Sequence, residues 1–154
     1  MNINDRLASL GLTLPPAPKP VAAYVPAVRA GELVVVSGQL PFQSGRLVAT
    51  GTVPSATPPD LAAQAARQCC LNALAVLGDQ IAGDWGRLVR VVRLGVFIAS
   101  DAGFYEQPQV ANGASDLLLA LLGEAGRHAR AAVGVNVLPL NASVELEMMA
   151  QVRD

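Results

Sequence analysis

Residues 129–152 read ARAAVGVNVLPLNASVELEMMAQV, and the two halves of this stretch carry different signals. The second half alternates strictly. Val144, Leu146, Met148, Ala150 and Val152 fall on one face of an extended chain; Glu145, Glu147, Met149 and Gln151 fall on the other. That pattern predicts a strand with one face in a core. In the first half a strand is expected over residues 130–137, with Ala131, Val133, Val135 and Val137 on one face and Arg130, Ala132, Gly134 and Asn136 on the other. A hairpin across residues 138–142 is expected to join the valine face to the Val144 face. Arg130, Asn136, Glu145 and Glu147 would then share a second, less covered face, suited to an interface that holds a polar pocket.

Working outward, residues 87–99 (RLVRVVRLGVFIA) are almost continuously apolar and β-branched, as a central strand covered on both faces would be. A helix is expected from Phe104 or Pro108 to Gly123. A longer helix opens at Pro58-Pro59-Asp60, where Pro suits the first turn and Asp the positive end of the helix dipole. Its apolar residues, from Leu61 through Cys69, Cys70 and Leu77 to Ile81, recur at helical spacing. Upstream, the runs at 24–28 and 33–36 flank Ala30-Gly31 and predict a tight hairpin. Residues 41–59 are rich in Gly, Pro, Ser and Thr and read as loop, with a short strand at 47–49. Residues 1–20 begin with a short amphipathic piece and continue through LPPAPKP as an extended arm. The order β-β-(β)-α-β-α-β-β over a single domain, 1–154, predicts an α+β fold with two helices on one face of a mixed sheet.

Composition narrows the function classes. Hydrophobic residues make up 52% of the 154 and charged residues only 15%, so apolar surface must be hidden by a membrane or a partner chain. No uninterrupted run of about eighteen apolar residues exists to cross a membrane, and MNINDRLASLGL lacks the pattern of a signal peptide. Oligomerisation is therefore expected. A net charge of −1 and few aromatics argue against gripping nucleic acid. The two cysteines, Cys69 and Cys70, are adjacent and mid-helix, which predicts a reducing, cytoplasmic setting and a packing role. One histidine and two adjacent cysteines cannot build a metal site.

Several motifs, in order, resemble a known family. Arg130-x-x-Val133-x-Val135-x-x-Leu138-Pro139 followed by Val144-Glu145-Leu146-Glu147-x-x-Ala150 resembles the C-terminal signature of the YjgF/RidA family. Tyr24 with Ala27-Val28 is similar to its Gly-Pro-Tyr-Ser-Gln-Ala-Val segment. The run from Val36 through Ser37, Gly38, Gln39 and Leu40 to Pro41 is similar to its Ser-Gly-Gln-Ile-Pro strand end, and Asn112, before the helix leading to Arg130, to an asparagine found there. Together these cover roughly residues 20–152. The chain departs from the pattern at Ala22-Ala23 (family Gly-Pro), at His128 (family Pro) and at Ala132, where many deaminases carry Cys.

The resemblance implies a chorismate-mutase-like fold, a homotrimer with ligand clefts between subunits, no cofactor, and hydrolytic deamination of small 2-imino or 2-enamino acids. It implies that Arg130 binds the substrate carboxylate, that Glu145 orients the attacking water, and that Gly38, Ala132, Tyr24, Asn112 and the rim residue His128 complete the cleft. A guanidinium suits the first role because its rigid fork matches a carboxylate with two hydrogen bonds. In the expected hairpin Glu145 would lie six residues from Arg130, about 20 Å along the strands, so the two would serve one pocket only from different chains. By residue type alone, Arg130 also suits an interface ion pair, and Glu145 and Glu147 a solvated strand face. A non-catalytic binder of small carboxylate metabolites is the alternative function, and the family's former endoribonuclease reading is a third.

Overall fold

A computed structural model describes residues 3–18 and 23–154. In chain order the elements are α1 (Ile3–Ser9), β1 (Ala27–Ala30), β2 (Leu33–Gln39), the small hairpin β3–β4 (Phe42–Gln43 and Arg46–Leu47), α2 (Pro59–Gln80), β5 (Leu88–Ala99), α3 (Gln107–Leu122), β6 (Ala129–Val135) and β7 (Val144–Val152). Five strands form one mixed sheet in the order β1-β2-β7-β5-β6. Only β5 and β6 run parallel, as the two ends of a crossover through α3. Helices α2 and α3 pack on one face, so the expected α+β architecture is the one observed. No helix among the described residues is long and apolar enough to cross a membrane.

Local sequence accounts for the elements. Gly31, at φ +61°, opens the two-residue β1–β2 turn. Pro59 starts α2, and its stripe from Ala62 to Leu77 is buried. The expected apolar face of β7 is buried without exception: Val144, Leu146, Met148, Ala150 and Val152 are each at most 2% exposed.

Three expectations are corrected. The chain does not form a hairpin between β6 and β7; β7 inserts between β2 and β5, leaving β6 at the sheet edge. The connection crosses the end of β5, pinned there by backbone bonds from Gly51 to Asn141 and from Ser143 to Ala49 and by the Ser143 hydroxyl on the Gly51 carbonyl. The faces of β6 are therefore inverted. Arg130, Ala132 and Gly134 pair with Leu94, Val96 and Ile98, which are wholly buried beneath the helices. Val133 lies on the uncovered face and is 43% exposed. The same uncovered face carries Arg93 and Phe97, so β5 is covered on one face, not two. The expected amphipathic start of the arm is a helix: Ile3 and Leu7 of α1 join the core, and the Arg6 guanidinium donates to the Leu121 carbonyl. Regular structure is absent only after it, up to residue 18. The rest of the arm at 19–20, and Ala22 of the Ala22-Ala23 pair, lie outside the described residues.

Candidate functional site

The site residues fall into two groups on opposite faces of the sheet. In the first, Arg130 leaves β6 toward α3. Its Nη1 donates to the Asn112 carboxamide oxygen at 2.9 Å and to the Ser115 hydroxyl at 3.0 Å. Asn112 and Ser115 stand one turn apart on α3, the spacing that presents two side chains to one neighbour. Asn112 thus lies within the helix rather than before it. Ser115 Oγ in turn lies 3.0 Å from His128 Nε2, and His128 Nδ1 lies 2.6 Å from the Gly126 carbonyl oxygen. Ala132 follows Arg130 on the same face, packed against the core. Among the described residues no hydrogen-bond partner is recorded for Nε and Nη2 of Arg130. Those two N–H groups form the parallel pair that grips a carboxylate.

The second group is built on β2 and β7. The Glu145 carboxylate lies directly over Gly38, so closely that a Cβ at Gly38 would collide with Glu145 Oε1. This close approach explains the glycine. Glu145 is half-buried, and burial first, with the charge of Glu147 second, raises its pKa above the ordinary carboxylate value. Glu147 is itself paired with Arg93 at 2.8 Å. Tyr24 and Gly38 border a cleft of about 800 Å³ whose far walls are the prolines of the N-terminal arm and Gln68 and Asn72 of α2.

These groups do not meet within one chain. Glu145 pairs with Phe97 on β5, and Phe97 with Val133 on β6, three residues beyond Arg130. Arg130 and Glu145 are thus separated by two strand spacings, about 10 Å, and by three residues along the strand, about another 10 Å, on opposite faces. The cysteine pair is not a competing centre. Both thiols are buried, burial pushes both pKa values upward, and Cys69 Sγ rests on the Val144 carbonyl. No cluster of metal-ligating side chains occurs among the described residues.

Two features escaped the sequence. Asn72 donates to the Leu40 and Phe42 carbonyls and accepts from Gln68, tying α2 to the floor of the cleft. The available signal was two amides four residues apart on an apolar helical stripe. Ser115 escaped because nothing in local sequence links it to His128, thirteen residues away.

The family model for YjgF/chorismate mutase-like proteins, a family that also bears an endoribonuclease label, matches residues 4–152. The chain is 42% identical to Protein TCP17 of Trypanosoma cruzi over 149 residues, 96% of this chain and 92% of that one. Its fold matches the crystal structure of Atu1372 from Agrobacterium tumefaciens, a protein of unknown function, with a TM-score of 0.93 and 46% identity over 98% of this chain and 92% of that one. It also resembles Escherichia coli TdcF with bound serine, with a TM-score of 0.61 and 25% identity over 90% and 94% of the two chains.

Proposed function

Because the chain belongs to the YjgF/chorismate mutase-like family, we propose that it hydrolyses small reactive 2-imino and 2-enamino acids to 2-keto acids and ammonia, in clefts completed by a second copy of the chain. The observation that carries this reading is Arg130. One guanidinium nitrogen is fixed by Asn112 and Ser115, and the paired Nε and Nη2 hydrogens are left for a ligand. Such a fork can grip a planar carboxylate with two parallel hydrogen bonds. That TdcF has been seen with serine, itself a carboxylate, agrees with it.

The chemistry follows from the residues. An enamine first tautomerises to its imine. Water then adds at the imine carbon, forming a C–O bond while the C=N electron pair moves to nitrogen. A proton passes from the water to that nitrogen to give the amino alcohol, the remaining hydroxyl proton then passes to the same nitrogen, and ammonia leaves as the C–N bond breaks and the carbonyl forms. Glu145, with its raised pKa, holds the water and moves the proton both ways. Arg130 supplies positioning and charge. With half the site on β6 and half on β2 and β7, the reaction needs at least two chains, and the homotrimer implied by resemblance would supply them. A non-catalytic carboxylate binder would use the same clefts. The endoribonuclease reading has little support in a chain of net charge −1 with 4% aromatic residues.

The test is release of keto acid from enzymatically generated 2-iminopropanoate. Acceleration by the wild type that disappears in Arg130→Ala is the expected result. Intact carboxylate binding without acceleration would move the protein to the binder class.

A further inference from the structure

We propose that Ser115 and His128 are positioning residues for the Arg130 clamp, acting as a directional hydrogen-bond relay; the role in turnover rests on the function proposed above. The direction follows from what each atom can do. A carbonyl oxygen only accepts, so His128 Nδ1, 2.6 Å from the Gly126 carbonyl, carries a proton. In the neutral ring Nε2 is then an acceptor, and the Ser115 hydroxyl 3.0 Å away donates to it. With its single proton committed, the Ser115 oxygen presents a lone pair to Arg130 Nη1 at 3.0 Å. Asn112 fixes the same nitrogen from one helical turn away. Two acceptors on Nη1 orient the plane of the guanidinium, and with it the Nε and Nη2 edge that meets the carboxylate.

The test uses the full chain, with pyruvate as the binding probe and 2-iminopropanoate as substrate. The protein has a single histidine, so a long-range proton–nitrogen NMR spectrum reports its tautomer without assignment. The expected results are an Nδ1-protonated ring, pyruvate Kd and substrate KM raised about five- to tenfold by Ser115→Ala, as for loss of one hydrogen bond to a charged group, and kcat within about twofold. Ser115→Thr, which keeps the hydroxyl, restores wild-type values. An Nε2-protonated ring, or an unchanged Kd in Ser115→Ala where Arg130→Ala abolishes binding, overturns the relay. So does a wild type that binds no pyruvate, because Arg130 is then not a clamp. Relay signatures with pyruvate binding but no turnover uphold the relay and dismiss the deaminase reading alone.

Discussion

Arg130 separates two properties that a surface charge usually confounds, its sign and its shape. Arg130→Lys keeps the positive charge but loses the planar fork and the double anchorage on Asn112 and Ser115. If shape matters, kcat/KM for imino acids falls about 10- to 100-fold in steady-state assays; if charge alone matters, Lys is nearly silent. Glu145 carries a second consequence at this scale. Burial raises its pKa in the folded chain above the unfolded value, so between the two values the folded chain binds more protons. The group's contribution is therefore most favourable below the unfolded pKa and declines as pH rises through the folded one. Glu145→Gln removes the titration. It is expected to raise Tm by a few degrees at most near pH 7 and to leave it unchanged in acid where Glu145 is protonated in both states, as calorimetry across pH would show. Activity should be lost at both pH values. Cys69 and Cys70, wholly buried with raised pKa values, should both resist a thiol reagent in the native protein and react only on unfolding.

At the scale of elements, the helices and the β1–β2 hairpin are legible and the pairing of β6 and β7 is not. The 3.6-residue stripe of α2 and the two-residue alternation of β7 are local signals, and both elements formed as read. The placement of β6 depends on where a short connection lands, which no periodicity encodes. Its two faces are both small and apolar enough to pass for core. The valines mark the uncovered face, where Val133 is 43% exposed, and so mimic an interior face. Half of the candidate site followed the same rule. Gly38 and Glu145 stood in recognisable motifs, but the Ser115–His128 contact depends on how α3 docks on β6. Gly113 sets how closely α3 packs on α2, because an added Cβ there would run into the Ala63 backbone of α2. Gly113→Ala improves helix propensity by about 1 kcal/mol. The collision is with backbone, which cannot rotate away, and overpacking of this kind costs roughly 1–3 kcal/mol or more. The clash wins: urea denaturation should show net destabilisation, and loss of the α3 packing should also lower affinity for pyruvate.

At the scale of the whole molecule, one face of the sheet is bare among the described residues. Val28, Leu33, Val35 and Val133 are exposed there around the Arg93–Glu147 pair, an apolar surface of the kind that meets another chain. The separation of Arg130 and Glu145 gives that surface a function that mixing can test. If every site takes Arg130 from one chain and Glu145 from a neighbour, Arg130→Ala and Glu145→Gln each inactivate alone. Co-expressed in equal amounts, they assemble at random, and about one site in four receives both intact residues. Roughly a quarter of wild-type activity should return, and should vanish if the two variants are purified separately and mixed under conditions where subunits do not exchange. A site confined to one chain predicts no recovery in either case, because every chain then lacks one of its two residues.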